Sequence, residues 1–193
     1  MTQVAERGFW HPKIEVAKWD YKTLKSNGLF DAASVRPEDG GLTGGQLLAA
    51  GVKPDDCFED EGNILLTAGI TRLLNLLTVA GGQGYNAANA RIGAGNGTTA
   101  VVIGNTDLSA AAGAANRYFQ LVSGAPGVAT NVVTFVSTFA TGDGNFAWEE
   151  WGIDAGSSSG TTVTAPLLNR KVVAMGTKAS GASWTITSTI TIS

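Results

Sequence analysis

One histidine, His11, and one cysteine, Cys57, are all the imidazole and thiol that this 193-residue chain offers for nucleophilic or metal chemistry. A serine nucleophile ordinarily needs a base that a third group holds in place. His11, followed by Pro12, stands more than a hundred residues before the serines of the C-terminal part. A Cys57–His11 pair is compatible with the spacing, but a lone cysteine beside Phe58 reads better as a small buried apolar residue. A single cysteine forms no internal disulfide, and one cysteine with one histidine makes neither a Cys-rich nor a multi-His zinc site.

The glycine-rich run Arg91-Ile-Gly-Ala-Gly-Asn-Gly-Thr-Thr99 is the nearest approach to a phosphate loop. It lacks the Gly-Lys-Ser/Thr that neutralises phosphate charge, and no lysine occurs between Lys53 and Lys171. Thr98 stands where the dinucleotide fingerprint needs its third glycine, so the run reads as a short strand and a tight turn. Glu149 and Glu150 are adjacent in an expected strand and point to opposite faces. They cannot share a substrate as a glycosidase pair must; one is left for solvent and the other for a partner or an arginine. Asp143 fits a turn. The acidic group Asp55, Asp56, Glu59, Asp60 and Glu61 lacks the spacing of a calcium loop and reads as a helix-capping cluster. No catalytic, cofactor-binding or metal-binding residue is assigned, and the expectation is a protein that is not an enzyme.

Composition points the same way. Charged residues are 15% of the chain against the usual ~25%, and 26 glycines far exceed the ordinary share. Few charges with many glycines and threonines suit short strands and tight turns. The net charge of −3 supplies no dense basic face for nucleic acid. The first ten residues mix acid and base with no apolar stretch, unlike a signal peptide, and no run is long and apolar enough to span a membrane as a helix. The expectation is synthesis in a cytoplasm, with no nucleic-acid and no membrane partner.

Charge divides the chain in two. Residues 1–62 hold 18 of the 29 charged residues, and residues 63–193 hold the other 11. The first part mixes charges with aromatics and shows only one short alternation, at Ile14 and Val16. Residues 1–60 read as an extended N-terminal arm with local structure, the competing reading being ordinary loops on the domain. Phe9, Trp10, Trp19 and Tyr21 lie there with no evident core face and are the candidate inter-subunit contacts.

Residues 61–193 read as one β-rich domain. Leu66, Ile70, Leu73, Leu74 and Leu77 fall on one helical face, which predicts an amphipathic helix near 64–78 with that face buried and Asn63 or Asp60 as its cap. A helical turn is expected at Asp107–Ala115, capped by Thr106. Elsewhere the period is two. Strands are expected at Ala90–Ala94, Tyr118–Val122, Val132–Phe139, around Phe146–Ile153, at Leu167–Ala174 and at Trp184–Ile192, with Trp148 and Trp184 facing the core. Turn signals such as Gly142-Asp-Gly-Asn145 separate them. The expected fold is mainly β: a β-sandwich or jelly-roll-like domain with one amphipathic helix.

A wider pattern runs through this domain. Asn63-Ile-Leu-Leu-Thr-Ala-Gly-Ile-Thr-Arg-Leu-Leu-Asn-Leu-Leu77 is followed by Tyr85-Asn-Ala-Ala-Asn-Ala-Arg-Ile-Gly93, Gly95-Asn-Gly-Thr-Thr99 and Thr106-Asp-Leu108. Then come Gly144-Asn-Phe-Ala-Trp-Glu-Glu-Trp-Gly-Ile153, Leu168-Asn-Arg-Lys171 and Gly176-Thr-Lys-Ala-Ser-Gly-Ala-Ser-Trp184. Over residues 60–193 this order resembles virion structural proteins of tailed bacteriophages that infect actinobacteria, of the capsid decoration (cement) kind. The resemblance implies a β-rich homotrimer on the capsid exterior that binds across major capsid protein subunits and stabilises the shell. The alternative is a tail- or head-fibre module binding host-surface glycan, whose mark would be exposed aromatics such as Trp151 or Tyr85.

Overall fold

The computed structural model describes residues 10–156 and 166–193. Two five-stranded antiparallel sheets stack as a sandwich, so the chain is mainly β, as expected. The first sheet has the order β2-β1-β10-β7-β6. Its strands are β1 (Trp10–Trp19), β2 (Asp56–Glu61), β6 (Gly127–Ala129), β7 (Val132–Phe139) and β10 (Ser183–Ile192). The second has the order β3-β9-β8-β4-β5. Its strands are β3 (Ile64–Leu65), β4 (Arg91–Gly95), β5 (Arg117–Leu121), β8 (Ala147–Asp154) and β9 (Asn169–Thr177).

Period-two alternation makes the core. Ile14, Val16, Phe135, Phe139, Trp184, Ile186 and Ile190 point inward from the first sheet and meet Ile92, Ala94, Tyr118, Trp148, Trp151, Ile153 and Met175 from the second. Trp148 packs edge-on to Trp184 at 4.8 Å and against Phe139 at 4.6 Å. The pairing of β8 with β9 slips between Trp148 and Glu150. The slip lets both Trp148 and Trp151 face inward and turns Glu150 to the other side.

Residues 10–60 are not an extended arm. All ten residues of β1 pair with β10, and six of them pair with β2 on the other side. Part of the charge that suggested an arm lies in β2, an acidic sheet edge of a kind that discourages edge-to-edge pairing. Lys13 pairs with Glu59, Lys18 with Asp56 and Lys171 with Asp60. The acidic cluster therefore does not cap the helix that follows it in sequence; Asp55 instead accepts from the Asp20 N–H and the Thr23 hydroxyl, and Cys57, expected to be buried, is exposed on the β2 edge. Between β1 and β2 the chain forms a helical cap of α1 (Tyr21–Ser26), α2 (Phe30–Ala33) and α3 (Gly44–Ala49). Asp20 caps α1, and a reciprocal Thr43–Gln46 pair caps α3. The cap closes over a second small core of Trp19, Leu24, Ala33, Leu47 and Val52.

The predicted amphipathic helix exists as α4 (Thr67–Leu77), with Leu66 at its N-cap and no side-chain cap. Its contact side differs from the expected one. Leu66, Gly69 and Leu73 turn toward the body of the protein, whereas Ile70, Leu74 and Leu77 are 37%, 55% and 79% exposed. Gly69 sets this orientation, because a Cβ there would lie 2.3 Å from the Leu168 carbonyl oxygen and only glycine permits the approach. Residues 107–115 form bends and turns rather than the expected helical turn.

Candidate functional site

The four aromatics proposed as inter-subunit contacts have different fates. Phe9 lies outside the described residues. Trp19 is fully buried under the helical cap, and its indole donates to the Val52 carbonyl at 3.0 Å, so it is a core residue and contacts no other subunit. Trp10 is half-buried, its indole donating to Asn63 at 2.8 Å. Tyr21 is 48% exposed and stacks edge-on against Phe30. Of the three that are described, Trp10 and Tyr21 keep reachable surface. Trp151, a mark of the glycan-binding alternative, is buried in β8.

The side of the second sheet away from the sandwich core carries a buried ion pair. Arg170 approaches Glu150 to 2.6 Å, with both side chains closed to solvent. Glu150 also accepts from Ser109 and from the Ala110 backbone, while Arg170 donates to Asn105 and to the Thr99 carbonyl. The pair thus fastens the irregular 96–110 segment over the sheet. The glycine-rich run serves this packing. At Gly93 a Cβ would strike the Phe119 ring, and at Gly97 it would strike Ser109 and the Glu150 carboxylate.

A second polar group gathers where α4 meets β8. Asp154 is fully buried, and neither carboxylate oxygen has a hydrogen-bond partner. Burial pushes its pKa up to about 6. The Ala155 and Gly156 backbone N–H groups, Arg72 and Arg91 oppose that rise, but none reaches the carboxylate in hydrogen-bonding geometry. Arg72 instead donates to the Ala155 carbonyl and lies over the Tyr85 ring, while Arg91 donates to the Gly156 carbonyl. Burial likewise raises the Tyr85 hydroxyl to about 12.

A third group sits at the turn between β7 and β8. Arg36 grips Asp143 through both carboxylate oxygens at 2.8 and 3.0 Å, and that bond holds its guanidinium above its ordinary pKa. Nearby, Lys178 is 1% exposed and donates to the Ala140 carbonyl at 2.9 Å and to Asn145 Oδ1 at 2.8 Å. Burial drives its amine down to about 7, against the opposing field of Asp143. Sequence reasoning missed this group. Lys178 follows the β9 strand by one residue and nothing in its neighbours marks it as buried.

The outward row of α4 is an exposed apolar strip. Ile70, Leu74 and Leu77 follow one another at four and three residues, Val79 beyond them is exposed, and Val102 and Ile103 are exposed beside the start of the helix. The Thr67 N–H donates to the Ile103 carbonyl, which ties the two together. The helix carries one charge, Arg72, and its guanidinium is engaged with Ala155.

Among the described residues no three His, Cys, Asp or Glu side chains are grouped to hold a metal ion, and no helix is long and apolar enough to cross a membrane. No family model, curated protein or solved structure matches the chain.

Proposed function

We propose that the chain is a non-enzymatic structural virion protein, a homotrimer that decorates a phage capsid and binds across neighbouring major capsid protein subunits. The observation that carries this reading is the uncharged apolar row Ile70, Leu74 and Leu77, displayed outward by a helix that Gly69 anchors to a rigid sandwich. A contiguous exposed apolar strip on a soluble domain marks a protein–protein surface. Depletion of charge is the mark of an interface core. The residues that carry the family resemblance support the same reading in another way. Trp148 and Trp151 of the Asn-Phe-Ala-Trp-Glu-Glu-Trp string are buried, so this string specifies a rigid scaffold.

The mechanism is mass action. A protein that binds only the assembled lattice stabilises it by RT ln(1 + [L]/Kd) at each site. The interfacial leucines supply roughly 1.5–3 kcal/mol each when fully covered.

The test is copy number in purified virions, measured against the major capsid protein, together with sedimentation of the purified protein with empty shells. Hundreds of copies in fixed ratio, and loss of shell binding in the Leu74→Glu, Leu77→Glu double variant, are expected. A few to a few dozen copies per virion would move the protein to the tail or a vertex and favour the host-binding alternative.

A further inference from the structure

Two chain crossings between the sheets meet at one end of the sandwich. The 140–146 turn leads from β7 in the first sheet to β8 in the second, and residues 178–182 lead back from β9 to β10. Lys178 and Asn145 lie on these two crossings, and their side chains touch at 2.8 Å. The contact is held from every side. The Lys178 backbone N–H donates to the Phe146 carbonyl, Asn145 Nδ2 donates to the Thr141 carbonyl, and the Trp148 indole donates to the Gly144 carbonyl.

We propose that Lys178 and Asn145 join in an intramolecular amide cross-link, an isopeptide bond that staples the two crossings together. The hydrogen bonds around the amine suit its neutral form. Lys178 has two acceptors, the Ala140 carbonyl and Asn145 Oδ1, which match the two N–H groups of an uncharged amine. The third proton of an ammonium has no acceptor among the described residues. Burial, which lowers the amine to about 7, leaves a large fraction with a free lone pair at neutral pH.

In the reaction the amine releases its N–H bond to Asn145 Oδ1, turns about Cε–Nζ, and its lone pair attacks Asn145 Cγ. The Nζ–Cγ bond forms and the Cγ–Nδ2 bond breaks. One proton moves from Nζ to Nδ2, which leaves as ammonia. Nothing is oxidised or reduced, and no co-reactant enters. Asp143, two residues before Asn145, is the carboxylate whose field reaches Lys178, and Arg36 fixes its position. Uncatalysed amide exchange is slow in water, and the fixed geometry supplies what solution lacks: two partners held in contact, with the amine itself closed to solvent.

The experiment is intact-mass spectrometry of the full-length protein, held at neutral pH until its mass is constant, followed by peptide mapping. The expected mass is below that of the sequence by about 17 Da, one ammonia. The map should contain one branched peptide that includes both Lys178 and Asn145. Lys178→Met and Asn145→Ala should each show the mass of their own sequence. A wild-type mass equal to that of the sequence overturns the proposal. So does a loss without the branched peptide, which would mark a succinimide at a step such as Asn96-Gly97. These measurements need no capsid, so their outcome is separate from that of the virion assignment.

Discussion

Arg170 lies 2.6 Å from Glu150 on the far side of the second sheet, and neither side chain is open to water. Two charges in such a place repay their desolvation only while both are present. Glu150→Gln therefore leaves an uncompensated guanidinium and should cost about 3–5 kcal/mol. The double variant Glu150→Leu, Arg170→Met should recover much of that loss. Urea unfolding of the three proteins checks both statements. A single-variant loss below about 1 kcal/mol would mean that water reaches the pair.

Asp154 gives stability a pH dependence of unusual sign. An unfolded aspartate titrates near 3.9, and the folded one at about 6. The folded chain therefore keeps its proton to higher pH, and the contribution of this group to stability falls as pH rises between those values, then levels off. Asp154→Asn removes the charge that burial penalises. It should be more stable than the parent near neutral pH by about 2–3 kcal/mol, with the difference fading toward about pH 4. Denaturant melts across that range are the measurement, and a difference independent of pH would show that Asp154 is not the group responsible.

Gly69 lies inside α4, where glycine to alanine ordinarily stabilises a helix by about 1 kcal/mol. Here the sign should reverse. The new methyl would meet the Leu168 backbone oxygen at 2.3 Å and its Cα at 2.7 Å, atoms that cannot rotate away. Gly69→Ala should destabilise by about 1–3 kcal/mol. Thermal unfolding decides it, and a gain in Tm would show that α4 is not docked through this face.

Trp19 and Tyr21 are two residues apart and looked alike as surface anchors. Trp19→Ala opens a cavity under the helical cap and should cost about 3–5 kcal/mol. Tyr21→Ala removes a half-exposed ring and should cost less than about 1 kcal/mol. Equal losses in a denaturant titration would contradict the placement of Trp19 as core.

Much of the sandwich was legible as alternation. Val132–Phe139 and Trp184–Ile192 are β7 and β10 nearly residue for residue, because a half-buried strand writes its two faces into every second position. Glu150 was legible only as the member of an adjacent pair that would need a partner; that the partner is Arg170, twenty residues on in a neighbouring strand, depends on pairing that no local spacing encodes. β1 was misread because two of its outward positions, Lys13 and Glu15, carry charge and its partner β10 lies at the other end of the chain.

The sequence by itself determined the class of fold, the helix at 67–77 and the two core tryptophans, since each follows from a local period and the burial it demands. Tertiary structure alone decided which side of that helix meets the protein, because its apolar arc is broader than the face it buries and has no fixed docking edge until Gly69 finds the Leu168 backbone. It also decided where Lys178 and Asn145 meet. Their contact is made by two crossings whose closeness is a property of the stacked sheets and of no stretch of chain.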